Sequence, residues 1–534
     1  MKSRHKFRLL LFPLFGALAS CGGGDDQPFQ VDDVGQVPDF LPPAPPAGGS
    51  GGGSGSFLPA SNFDAMCAAP RAGTTDVQGT ATDENNWLRS WTNDTYLWYS
   101  EVTYPNPASY ATPAYFDLLK TNATTPSGQP KDRFHFTYDT AEWIALSQGG
   151  VTAGYGSSFE ILAPAPPRNI VVSYVEAGTP AEGLLQRGDT ILFVNGTDAV
   201  NGSSQAAVDA LNAGLFPEQS GQTNTFVVRN VAGAQRTVTL TSAIITSNPV
   251  PETATFSTAT GTVGYILFND HNAPSEAALI QAINTLRTAG VSDLILDMRY
   301  NGGGYLDIAA ELAYMVGNTT VTAGRTFERL TFNDKHPSVD PVTGQTIVPT
   351  PFHSTTQGFG GVPAGVPLPS LNLNRVYIIT GPGTCSASES VINGLTGVRL
   401  DVYIVGSTTC GKPYGFYPTD NCGTTYFSIQ FRGENAASFG DYTDGFSPNN
   451  TAANAGTRLP GCSVADDFSH ELGDMAEGRI AAALALRGSN NLTCPAATGF
   501  TDPRLSKASF QHSDDRQLWV SKPAARMNRI VRNR

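Results

Sequence analysis

A chain of 534 residues is longer than a single hydrophobic core accommodates and implies about three folded units. Its 46 acidic side chains outweigh 33 basic ones, and the net charge of -13 excludes the basic footprint that nucleic-acid binding needs. Seven cysteines and seven histidines fall in no metal-ligand spacing, so neither a metal nor another cofactor is expected.

The chain begins with a basic octet, residues 1–8, then a mainly apolar run over 9–18 and the box Leu18-Ala19-Ser20-Cys21. The apolar run is too short to span a bilayer. The box resembles a bacterial lipoprotein cleavage site, which implies a signal peptide over 1–20 and lipidation of Cys21; secretion after a cut nearby is the alternative. Several acyl chains on Cys21 would anchor the chain stably. No Asp follows Cys21, which points to the outer membrane of a Gram-negative cell envelope. Residues 21–83 follow as a tether, because the Gly, Pro, Ser and acidic composition of 22–60 cannot bury a core.

Residues 84–149 hold Trp87, Leu88, Trp91, Tyr96, Leu97, Trp98 and Tyr99 at helical spacing, the pattern of a buried stripe. Residues 150–247 contain Gly154-Tyr155-Gly156 ahead of an apolar strand, and then the long run from Pro180 to Gly196. This segment resembles a PDZ domain. The resemblance implies a peptide-binding loop at Gly154, Tyr155 and Gly156, in which the Tyr155 and Gly156 backbone N–H groups hold a peptide carboxylate while the strand edge pairs with the peptide, and a helix over 203–211 that lines the other wall.

Over 250–488, β-branched apolar runs alternate with helical patterns, which predicts α/β layering with crossover connections. A strand over 263–268 precedes a helix over 276–289. The run Leu294-Ile295-Leu296-Asp297-Met298 leads into Arg299-Tyr300-Asn301-Gly302-Gly303-Gly304, where three glycines let the backbone approach a ligand closely. Residues 318–372 are a Pro-, Gly- and Thr-rich excursion of flap or insertion length. A second strand-to-helix turn carries Thr384-Cys385-Ser386-Ala387-Ser388-Glu389, and Gly411-Lys412 follows a further strand. Ser386 and Glu389 also satisfy the capping-box pattern, so Ser386 reads either as a helix cap or as an exposed nucleophile. A last helix is predicted over 471–486.

The glycine run, the Ser386 turn and Gly411-Lys412 together resemble the carboxyl-terminal processing proteases, serine peptidases with a PDZ domain, over roughly residues 84–485. The resemblance implies a crotonase-like, Clp-protease-like α/β catalytic core behind the PDZ domain and a small N-terminal helical segment. It implies that Ser386 attacks the scissile carbonyl, that neutral Lys412 is the general base, and that Ala387 and Gly303 N–H groups meet the oxyanion. Protein or peptide substrates with exposed C-termini are the implied partners. The family's glutamine four positions after the lysine is replaced here by Phe416, and Gln430 is the residue that could stand in for it. Two alternatives remain open: a PDZ-bearing binding protein without catalysis, and a variant that uses a histidine base, with His271 as the candidate.

Six cysteines remain after Cys21, an even number for an oxidising compartment. Pairing of Cys410 with Cys422 around the lysine loop is expected, and of Cys462 with Cys494. Residues 489–534 form a basic tail, either solvated or in contact with acidic partners or lipid headgroups.

Overall fold

Residues 261–267, 293–297, 375–380 and 401–406 are β-branched or aromatic runs without proline, and they pair as the parallel centre of a six-stranded sheet. Its order is Glu252–Thr258, Gly261–Leu267, Asp293–Asp297, Arg375–Thr380, Asp401–Gly406 and Gly461–Ser463; the first pair is antiparallel. Alternate side chains leave the sheet on opposite faces. Ile266, Leu294, Leu296, Ile378 and Ile404 join the core shared with helices Ser275–Thr288, Leu306–Val316 and Ala387–Gly397, whereas Tyr265, Ile295, Tyr377, Ile379 and Val405 pack with helix Gly478–Gly488. Burial on both faces explains why these strands read as continuous apolar runs.

The computed structural model describes residues 57–451, 456–491 and 493–498, and the backbone alone of Arg529–Ile530. The leader, Cys21 and most of the tether lie outside the described residues. No helix among the described residues is long and apolar enough to cross a membrane.

The folded part starts before the expected limit at residue 83. Helix Ala81–Thr95 is capped by Thr80, which exchanges hydrogen bonds with Asp83, and the preceding segment is tied to the α/β core by a Cys67–Cys422 disulfide. Trp87 and Trp91 stack 5.3 Å apart on this helix, as four-residue spacing requires. The expected stripe ends at Thr95: Tyr96 is extended, and Tyr99–Glu101 is a separate 3-10 turn. Strand Phe136–Asp139 then pairs with Thr424–Phe427 of the core, so the N-terminal helical segment forms one wall of the lysine loop.

The PDZ segment is a sheet ordered Gln235–Thr241, Thr223–Arg229, Thr190–Val194, Asn169–Val175 and Ser157–Ala163, with helix Gln205–Leu215 packed on its core. That helix begins at 205 because Ser204 accepts from Ala207 N–H. Ser157–Ala163 pairs on one side only and forms the sheet edge. The excursion over 318–372 is woven into the core: Thr326–Thr331 pairs with Phe431–Glu434, and the buried Glu276 carboxylate accepts from the N–H groups of Gln357 and Phe359. The last helix starts at Gly478, later than expected, because Glu477 caps it through Arg479 and Ile480 N–H groups.

Candidate active site

Ser386 stands at the last residue of a strand-to-helix turn, directly before helix Ala387–Gly397, with φ 64° and ψ -115°, a conformation costly for a residue with a side chain. The residues of a capping box are present, yet only one half makes a hydrogen bond: Glu389 Oε2 accepts from Ser386 N–H at 2.9 Å, while the Ser386 hydroxyl is buried without a hydrogen-bond partner among the described residues. The carboxylate does the capping and leaves the hydroxyl uncommitted.

Glu389 has a wider task. Its carboxylate also accepts from Thr409 Oγ1 at 2.5 Å, Gly411 N–H at 2.8 Å and Lys412 N–H at 2.8 Å. One buried carboxylate thereby joins the turn of Ser386 to the loop of Lys412. Burial pushes its pKa up, against the hydrogen bonds that favour the charged form. Cys410 N–H donates to Thr384 O at 3.0 Å, and a Cys385–Cys410 disulfide makes the same connection covalently. The expected Cys410–Cys422 pairing is therefore corrected: Cys385, immediately before the serine, takes Cys410, and Cys422 takes Cys67 from the segment expected to be tether. Cys462 pairs with Cys494 as expected. The Cys385 and Cys410 sulfurs lie close to Glu389, but they are bonded to each other and so are not thiolate ligands.

Lys412 is fully buried. Burial lowers its pKa to about 7, against the Asp132 and Glu389 carboxylates, which pull it upward. Its Nζ lies 4.3 Å from the Phe416 ring centroid and 4.8 Å from that of Phe134. Phe416 is thus part of an aromatic wall with Phe427 and Phe136. Gln430 Oε1 accepts from Tyr417 N–H at 2.7 Å, and its buried Nε2 has no hydrogen-bond partner among the described residues. Gly411 turns at φ 82°, and a Cβ there would stand 2.3 Å from Thr443 O, so the loop requires glycine at this position.

The glycine turn is organised by Asn301. Its Oδ1 accepts from Gly303 N–H at 2.9 Å and lies 3.0 Å from His271 Nδ1, while its carbonyl accepts from Cys385 N–H and from Ser388 Oγ, both at 3.0 Å. The Gly303 N–H expected at an oxyanion is here engaged inside the turn on Asn301 Oδ1. Ala387 N–H, at the first helical position, has no intrahelical acceptor. His271 is buried, with its pKa lowered to about 3 by burial, and no hydrogen bond joins it to Ser386. Its ring Nδ1 lies against Asn301 and so against the glycine turn.

Gly154, Tyr155 and Gly156 line a cleft of about 670 Å³ that also includes Gly302 and Gly383, so the PDZ loop and the glycine turn open into one space. Tyr155 and Gly156 carbonyls accept from Ala181 and Glu176 N–H groups, and the buried Tyr155 hydroxyl bonds Gly214 O at 2.8 Å. Gly154 itself closes strand Val151–Gly154, paired with Ala243. The residues missed by sequence reasoning are Asp132, Phe134 and the joining role of Glu389. Only Glu389 carried a signal, its place in the capping pattern.

Residues 262–416 match the family model of Peptidase family S41, and residues 148–214 match that of the PDZ domain. The chain is 34% identical over 176 residues to "C-terminal processing peptidase, chloroplastic" of Tetradesmus obliquus, covering 30% of this chain and 34% of the relative. It is 26% identical over 172 residues to "Carboxyl-terminal-processing protease" of Picosynechococcus sp., covering 32% and 40%. The matched stretch thus spans between a third and two-fifths of the length of these relatives. A crystal structure of "Putative S41 protease from Bacteroides fragilis NCTC 9343" superposes with a TM-score of 0.55 at 22% identity, covering 76% of this chain and 97% of that one, a likeness of fold. Residues 262–416 thus match peptidase family S41 behind a PDZ match over 148–214, and part of the chain is similar to carboxyl-terminal processing proteases.

Proposed function

We propose that the chain is a serine endopeptidase in which Ser386 is the nucleophile and Lys412 the general base. The observation that carries this reading is the buried lysine with its pKa at about 7, tied through Glu389 to the turn that holds an uncommitted serine hydroxyl. Neutral Lys412 Nζ takes the Ser386 proton as Oγ adds to the scissile carbonyl, then passes it to the leaving amine. Water then attacks the acyl-serine with the same base. Ala387 N–H stabilises the developing oxyanion, with Gly302, which lines the cleft, as the neighbouring candidate for a second donor. The PDZ edge strand Ser157–Ala163 and the loop 154–156 would hold an exposed C-terminal segment of the substrate.

Two measurements on the full chain test this: hydrolysis of an unfolded protein, and fluorophosphonate labelling. The native chain is expected to do both and Ser386→Ala neither. A native chain that neither cleaves nor labels, yet binds a C-terminal peptide, would instead support the binding-protein reading.

The Cys385–Cys410 bond holds the nucleophile turn to the base loop, so its loss should act on geometry. The pair Cys385→Ser and Cys410→Ser is expected to lower kcat by about ten- to a hundredfold, as small misplacements of reacting groups do, with KM little changed. Activity equal to the native chain's after verified removal of the bond would show that Glu389 suffices.

We further propose that lipidated Cys21 tethers the protease to the outer membrane of a Gram-negative cell envelope. Incorporation of labelled palmitate into the native chain and its loss in Cys21→Ala is the expected result.

A further inference from the structure

Among the described residues, the cleft between the PDZ loop and the glycine turn is lined by five carboxylates, Glu142, Glu160, Glu176, Glu218 and Asp270, and by no lysine, arginine or histidine. Between them lie Leu146, Phe159, Phe216 and Ile244, which give it an apolar floor. Such a wall favours a cationic, partly apolar peptide. The chain ends in one. From Arg504 onward it has eight basic residues, Arg504, Lys507, Arg516, Lys522, Arg526, Arg529, Arg532 and Arg534, against two acidic ones, Asp514 and Asp515, although the whole chain is acidic.

The backbone supplies a second, independent observation. Arg529–Ile530 forms a parallel strand with Gly304–Tyr305, the residues at the end of the glycine turn, and lies beside Tyr414–Gly415, which follow the Lys412 loop. This strand thus lies beside the end of the glycine turn and the segment that follows the Lys412 loop. Its place adjoins the acidic cleft, because the Tyr305 hydroxyl accepts from Gln148 Nε2 at 3.1 Å, and Gln148 shares helix Thr140–Gly149 with Glu142 and Leu146. Ser386 and Lys412 are both 0% exposed.

We propose that the basic C-terminal tail is an intramolecular occupant of the substrate cleft, docked by strand addition at Gly304–Tyr305 and by charge along the acidic wall. Its effect on hydrolysis rests on the peptidase reading; its docking does not. Main-chain pairing supplies the register and the opposed charges the selectivity, the division of labour in strand-addition recognition. A site occupied in most molecules binds its ligands more weakly, in proportion to the fraction left open.

Docking is read first in Ser386→Ala chains, which cannot cleave by this mechanism. A fluorescent peptide of residues 519–534 is expected to bind a chain ended after Thr498 and to bind the full-length chain about tenfold more weakly. Added salt should weaken binding to the shortened chain, since the attraction between exposed charges is screened. Full-length chain with Arg526→Gln, Arg529→Gln and Arg532→Gln should bind the peptide nearly as well as the shortened one, which covers the case in which truncation harms folding. Equal affinity of the shortened and full-length chains, or no binding to either, overturns the proposal. A full-length chain that sediments as a dimer and becomes a monomer on truncation overturns intramolecular docking in favour of docking between copies. With native Ser386, truncation is expected to raise kcat/KM on unfolded protein about tenfold through KM, and the free peptide to restore inhibition. If neither chain hydrolyses substrate, the peptidase reading fails while the binding result still decides docking.

Discussion

Replacing Lys412 by methionine is expected to abolish peptide hydrolysis and to raise the stability of the fold. Loss of a general base costs about 10²- to 10⁴-fold in rate, and Lys412→Arg should do the same, since a guanidinium keeps its proton at every working pH. In the native chain, kcat/KM should rise with pH through about 7, as burial sets the Lys412 pKa there, and then level off. The stability effect has the opposite sign. An unfolded lysine holds its proton up to about pH 10.4. Between about pH 7 and that value the unfolded chain therefore binds one more proton than the folded chain, and stability rises with pH across this window. At neutral pH and below, burying Lys412 costs a few kcal/mol, about 1.4 for each pKa unit of depression. Methionine fills a similar volume without that cost, so Lys412→Met should raise Tm most strongly at or below pH 7. Urea or thermal unfolding of both chains at pH 6 and pH 9.5 checks this. An equal difference at both pH values would mean that Lys412 is not neutralised by burial.

Arg299→Met is expected to destabilise the fold by about 3–5 kcal/mol, the usual result of removing one partner from a buried ionic cluster. Arg299 is buried and holds Asp297 Oδ2 at 2.8 Å, Asp466 Oδ1 at 2.8 Å and Glu477 Oε1 at 2.7 Å. Burial alone would push Asp466 up; the guanidiniums of Arg479, Arg299 and Arg187 outweigh it and hold that carboxyl well below its usual range. Glu477 is likewise lowered, with Arg299 overcoming burial. Carboxylates lowered in this way stabilise the fold above their unfolded pKa, and that contribution is lost as pH falls through the folded value. Arg299→Met should therefore also move acid unfolding to higher pH. Arg187 extends the cluster from the PDZ segment, bonding Asp466 Oδ1 and the Tyr300 hydroxyl, both at 2.8 Å. The variant should thus loosen the PDZ segment from the core, which hydrogen exchange near Asp189 and Tyr300 would report. Unchanged acid unfolding would show that the three carboxylates find other partners.

Sequence patterning was enough for the layered α/β core, because parallel strands buried on both faces must be apolar throughout. The glycine run and the Ser386 turn were legible for a similar reason, since close backbone approach and strand-to-helix turns restrict which residues fit. Helix limits were less legible. The last helix begins at Gly478 because Glu477, drawn inward by Arg299 from 178 residues away, supplies its cap.

What sequence alone determined is local: strand and helix periodicity, the PDZ and protease motifs, and a lysine among apolar neighbours suited to a lowered pKa. Tertiary structure decided the rest, because contacts between distant segments leave no periodic trace. It paired Cys385 with Cys410 and Cys67 with Cys422, brought Phe134 and Asp132 to the lysine, and set Glu389 between the serine turn and the lysine loop. It also engaged Gly303 N–H on Asn301, a hydrogen bond two residues apart whose existence depends on the side-chain rotamer of Asn301 rather than on spacing.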